Sequence, residues 1–129
     1  SGGISDNIEH GIFALIDAVS NNRKDLAFDL LHQLILSGEP ETRILSSIIG
    51  QMEVMLVTKQ LAEDGNPIGE IKKVTKIHEF RIKKCLNFAK KFTEKDLKRI
   101  LINAYSTDGK IKMGVLAPQL ALEMLIAEI

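Results

Sequence analysis

Pro40-Glu-Thr-Arg-Ile-Leu-Ser-Ser-Ile-Ile-Gly-Gln-Met-Glu-Val-Met-Leu-Val-Thr-Lys-Gln-Leu-Ala-Glu-Asp-Gly65 runs from a helix-starting proline to a helix-ending glycine, and its reading decides the fold. Its apolar residues Ile44, Leu45, Ile48, Ile49, Met52, Met55 and Leu56 recur three or four apart, the spacing of one helical face. Proline suits a helix start because its missing N–H would be unpaired there anyway. Glycine suits the left-handed residue that closes a last turn. The stretch therefore reads as one long helix over about 40–64.

The same punctuation continues outward. Pro67 and Pro118 open helical patterns as Pro40 does, and Gly38 and Gly114 close them as Gly65 does. Thr93 followed by Asp96 reads as a capping box with Asp in place of the usual Glu or Gln. Further helices are predicted over about 6–20, 23–37, 68–75, 78–91, 94–112 and 118–129. The first should bury Ile8, Ile12, Leu15, Ile16 and Val19; the second Leu26, Ala27, Leu30, Leu31, Leu34 and Ile35. The short helix offers Ile68, Ile71 and Val74, and the next Ile82, Cys85, Leu86 and Ala89. Leu97, Ile100, Leu101, Ala104 and Ile111 follow, then Leu120, Leu122, Met124, Leu125, Ile126 and Ile129. That last helix is apolar nearly all round, so it is either central or covered by another chain. No segment alternates with period two for long enough to be a strand. Connections of about two to five residues make successive helices antiparallel neighbours, so the expected fold is all-α, a compact bundle of about six to seven helices.

The 129 residues suit one domain with one core. The opening Ser-Gly-Gly sets residues 1–7 apart as an N-terminal remnant or linker ahead of a helical domain over 8–129. No apolar run reaches the roughly 18 residues of a membrane span, so no membrane is expected. The single cysteine, Cys85, has no internal disulfide partner and reads as a small buried hydrophobe in a reducing compartment; the expected location is the bacterial cytoplasm.

Charge is the uneven feature. Residues 1–70 carry 4 Lys/Arg against 11 Asp/Glu, residues 71–99 carry 11 against 3, and residues 100–129 carry 2 against 3. A basic block inside an otherwise acidic domain is a statement about partners: something anionic docks on it, or it faces an acidic neighbour. Its ordinary reading is a solvated face whose lysine stems cover the core.

Catalytic signals are thin. There is no P-loop pattern, and no nucleophile has an adjacent base. His10, His32 and His78 are scattered without a second ligand nearby in sequence. His78 stands where its ring can accept a backbone N–H at a helix start. No catalytic residue, cofactor, metal or small-molecule substrate is expected. One sharper alternative is a helix-turn-helix in the segment 71–99, in which Lys72, Lys73, Arg81 and Lys84 contact DNA phosphates. Two departures count against it: Lys72 occupies a position usually small, and Thr75 replaces a core Leu.

Read in order, the segments carry a family resemblance. They are Ile12-Phe-Ala-Leu-Ile-Asp-Ala-Val19, Leu26-Ala-Phe-Asp-Leu-Leu-His-Gln-Leu34, Ser37-Gly-Glu-Pro40 and Val57-Thr-Lys-Gln-Leu-Ala-Glu-Asp-Gly65. Then come Ile77-His-Glu-Phe-Arg-Ile-Lys-Lys-Cys-Leu86, Ala89-Lys-Lys-Phe-Thr-Glu-Lys-Asp-Leu97, Asp108-Gly-Lys-Ile-Lys-Met-Gly114 and Leu120-Ala-Leu-Glu-Met-Leu125. Together they resemble the C-terminal domain of the delta subunit of the bacterial DNA polymerase III clamp loader. The resemblance implies a non-catalytic domain that joins a collar with the other clamp-loader subunits. It also implies an ATPase-like N-terminal module absent from this chain, and a contribution to loading the sliding clamp onto primed DNA. Tyr105, Lys110, Lys112, Leu116 and Gln119 are expected to meet the neighbouring subunits, with DNA a secondary partner of the basic block.

Overall fold

In a computed structural model, the backbone is described over residues 2–129 and the side-chain surroundings over residues 8–129. The described residues form seven helices: α1 (Gly2–Ser20), α2 (Lys24–Leu36), α3 (Glu41–Glu63), α4 (Ile68–Thr75), α5 (Glu79–Ala89), α6 (Glu94–Lys112) and α7 (Pro118–Glu128). The all-α reading holds, and the boundaries fall within a residue or so of expectation except at α1, which begins at Gly2, ahead of the start expected near 6.

Helix α3, about 35 Å long at 1.5 Å per residue, is the post around which the others stand. It packs against α1, α4, α5, α6 and α7. It can do so because it buries more than one stripe: Ile44, Leu45, Ile48, Gln51, Met52, Met55 and Thr58 are all buried. The two polar members are satisfied in place. Thr58 Oγ1 donates to the Val54 carbonyl at 2.7 Å, and Gln51 Oε1 accepts from Arg81 Nη2 at 3.3 Å. Helices α1 and α2 form a tight hairpin, so tight that a Cβ on Gly11 would stand 2.8 Å from Leu34 Cδ2. Phe13 of α1 stacks on Phe88 of α5 with ring centroids 4.9 Å apart.

Punctuation is where local sequence shows best. Gly38, Gly65 and Gly114 take positive φ at helix ends, and Thr93 with Asp96 forms the full reciprocal capping box. Pro40 and Pro67 stand one position earlier than expected, as N-caps with ψ of 137° and 163°, while Pro118 is inside the first turn of α7. The ring-fixed φ of proline suits either place, because neither has a use for its N–H. Two further left-handed residues are not glycine: Asn22 in the α1–α2 turn and Lys76 after α4.

Four expected core residues lie on the surface. Leu26, Val74, Leu120 and Met124 are exposed. For Leu120 and Met124 the cause is the place of α7: it is an edge helix, burying Ala121, Leu122, Leu125 and Ile126 and turning its other apolar face outward. The helix at the centre is α3.

Candidate functional site

The residues expected at an assembly interface sit on the C-terminal half of α6, the connection 113–117 and the start of α7. Tyr105 is about half exposed, and its hydroxyl donates to the Glu53 carboxylate on α3, which raises the phenol above its ordinary pKa. Lys112 is exposed and pairs with Asp108 one turn back at 2.7 Å. Tyr105 and Lys112 line one groove of about 310 Å³ together with Thr42, Ser46 and Ile49 of α3. Lys110 is exposed, Leu116 is half-buried in the connection, and Gln119 is exposed with its amide 3.5 Å from Glu123. Glu123 in turn meets His32 of α2 at 2.7 Å; that hydrogen bond, helped by Gln119, holds its carboxyl below the ordinary range.

Around these polar groups stand apolar side chains that reading the sequence did not place there. Ile102 is 67% exposed, Met113 79% and Val115 62%, and Leu120 and Met124 join them on α7. On α6, positions 102, 105 and 109, with the C-cap position 113, lie away from Leu97, Ile100, Leu101 and Ala104, which are buried. Exposed apolar residues collected in one region differ from single ones, which need no explanation. The signal available in sequence was the second apolar row of α6 and the all-round apolar character of α7.

The basic block divides into two parts. Lys83 pairs with Glu79, Lys91 with Asp17, Lys98 with Glu94 and Arg99 with Asp96. Arg81 turns inward to Gln51, and Lys84 Nζ lies over the Phe13 ring at 4.5 Å from its centroid. Of the four expected phosphate contacts, then, Arg81 and Lys84 are engaged within the fold. Lys72 and Lys73 are exposed and, among the described residues, without an ion-pair partner. The first turn of α5, which a helix-turn-helix would send into the major groove, presents Glu79 and an exposed Phe80. Nothing in this arrangement favours the DNA-reading alternative.

His78 is the N-cap of α5, its Nδ1 accepting the Phe80 N–H at 3.1 Å. Cys85 is fully buried with its thiol directed at Gln51 Oε1, and burial pushes its pKa up to about 11, so it is a packing residue. Among the described residues no group of three His, Cys, Asp or Glu is placed to hold a metal, and no helix is long and apolar enough to cross a membrane.

Comparison with known proteins gives a consistent set of relatives. Residues 9–129 match the family described as DNA polymerase III delta subunit, C-terminal domain. The chain is 28% identical over 126 residues to DNA polymerase III subunit delta of Bacillus subtilis (strain 168), covering 98% of this chain and 36% of that protein. It superposes on the solved structure of the Bacillus subtilis DNA clamp loader delta protein (YqeN) with a TM-score of 0.89 and 29% identity, covering 94% of this chain and 36% of that one. The chain thus spans about a third of the length of the relatives it matches.

Proposed function

The chain belongs to the family formed by the C-terminal domain of the DNA polymerase III delta subunit, and from that premise we propose that it is a non-catalytic assembly domain. In this reading it joins the corresponding domains of the other clamp-loader subunits in a collar, within the bacterial cytoplasm. An ATPase-like portion of the same subunit, N-terminal to the residues present here, does the work at the sliding clamp and primed DNA. The boundary at residue 8 belongs to the same proposal: residues 8–129 are the assembly domain.

One observation carries the reading: the exposed apolar side chains of this region, Ile102 and Tyr105 on α6, Met113 at its C-cap, Val115 in the connection and Leu120 and Met124 on α7. Aromatic, aliphatic and methionine side chains surrounded by locally neutralised polar groups are the composition of an interface core and its rim. Lys112 paired with Asp108, and Gln119 with Glu123, supply that rim. A closed ring of homologous domains meets head to tail, so each member needs two unlike faces. The segregation of acidic residues before 70 from basic residues after 71 helps fix which faces meet.

The test is size-exclusion chromatography with light scattering, on the chain alone and mixed with the C-terminal domains of the other clamp-loader subunits from the same source. A stoichiometric complex is expected. No complex, together with salt-sensitive and sequence-selective duplex binding, would overturn the reading.

A further inference from the structure

The α4–α5 corner is a second surface, separate from α6 and α7. Gly69, Lys72, Lys73 and Lys76 follow one another at i, i+3, i+4 and i+7 along α4 and its cap, and with Ile77 and His78 they line a groove of about 500 Å³. Its floor is apolar: Ile77 is half-buried, and Gly69 contributes no side chain. Its rim is cationic. Lys72, Lys73 and Lys76 are exposed and have no ion-pair partner among the described residues, whereas Lys83, Lys91, Lys98 and Arg99 pair and Lys84 packs on Phe13.

Helix-dipole stabilisation accounts for cations at the end of α4, but not for the backbone conformation of Lys76. That residue closes the helix with φ of 64°, a backbone conformation that disfavours any side chain with a Cβ. At the other positive-φ positions this chain uses Gly38, Gly65, Gly114 and Asn22. Only at the rim of this groove does it keep a long cationic side chain. His78 adds a donor: with Nδ1 accepting the Phe80 N–H, the proton of the neutral ring is on Nε2.

We propose that the α4–α5 groove docks an acidic peptide segment of a partner protein, its carboxylates on Lys72, Lys73 and Lys76 and an apolar side chain over Ile77 and Gly69. Charge complementarity with an apolar floor selects this occupant over a nucleic-acid backbone. A nucleic-acid backbone brings no apolar side chain to cover Ile77, and the planar donor best suited to phosphate, Arg81, is engaged with Gln51. This docking is independent of the collar assignment.

The test is fluorescence anisotropy with a fluorescein-labelled peptide in which Asp and Glu flank a central Leu-Phe pair. Saturable binding is expected, lost as salt rises and weakened at least about tenfold by K72E/K76E, a change of the size that close charge pairs at interfaces support. Gly69→Leu should block the groove to a similar extent without disturbing the fold, because a Cβ there meets nothing within 4 Å. Replacing Leu-Phe by Ser-Ser in the probe should weaken binding as well. No saturable binding, binding indifferent to both K72E/K76E and Gly69→Leu, or stronger binding of a duplex DNA probe through the same residues would overturn the proposal. So would a concentration-dependent dimer that those substitutions abolish, since the occupant would then be a second copy of the chain.

Discussion

The α6–α7 face and the α4–α5 corner reverse each other's chemistry. The first exposes Ile102, Met113, Val115 and Leu120 while Lys112 pairs with Asp108 and Glu123 meets His32, leaving Lys110 as its free cation among the described residues. The second leaves Lys72, Lys73 and Lys76 without ion-pair partners among the described residues, around a small apolar floor. A surface with exposed apolar area and largely neutralised charge gains most from being covered, so it suits a lasting partner. Unpaired charge governs encounter and selectivity more than residence, so it suits a partner that comes and goes. The contrast makes the two faces separable by mutation.

The largest expected effect lies beneath both. Phe13 holds Phe88 by stacking and Lys84 by its ring face, so it ties the basic block to the core. Phe13→Ala should cost about 3–5 kcal/mol of unfolding free energy, measured by urea titration. Loss of less than about 1 kcal/mol, on the same scale, would mean that the block is not anchored there. Next comes the double variant I102E/L120E. It should weaken binding to the partner C-terminal domains by about a hundredfold, the scale of a central interface hot spot, while the thermal midpoint stays put. The same assay on K72E/K73E should show little change; an equal loss would erase the distinction between the two surfaces.

A smaller effect has the opposite sign. Lys76→Gly relieves a left-handed lysine and should stabilise the fold by about 0.5–1 kcal/mol, while weakening capture of the acidic peptide. A destabilised variant would show that Lys76 serves the fold and not the groove. The smallest effect is a pH dependence. Burial raises the Cys85 thiol from its ordinary 9.0 to about 11, so the folded state disfavours the thiolate that the unfolded chain forms freely. The sign follows: this contribution is full below pH 9 and is lost as pH rises toward 11. Urea midpoints of the native chain should fall across that interval more than those of Cys85→Ala.

How much of this was legible in the sequence follows from what each feature depends on. Helix ends are local: Gly65, Thr93 with Asp96, and His78 each act on backbone within a few residues, and all three behave as read. Charge is additive, so the basic block was visible by counting. Whether a cation in it is free depends on distant residues such as Asp17 and Gln51, and only the fold brings those to Lys91 and Arg81. Exposure is non-local too. Leu120 and Met124 keep helical spacing as faithfully as Leu122 and Leu125, and the difference is that the described residues leave their side of α7 largely uncovered. Val74 and Leu26 misled for the same reason. Lys76 was missed because a left-handed cap is expected of Gly or Asn, and the residue there is neither.

The most direct test of the account is methyl cross-saturation in the complex with the partner C-terminal domains, comparing signals from the two surfaces of one chain. An assembly interface on α6 and α7 gives strong attenuation at Ile102, Met113, Val115, Leu120 and Met124 and little at Val74 and Ile77. Attenuation centred on Val74 and Ile77, with the α6–α7 methyls untouched, would contradict it.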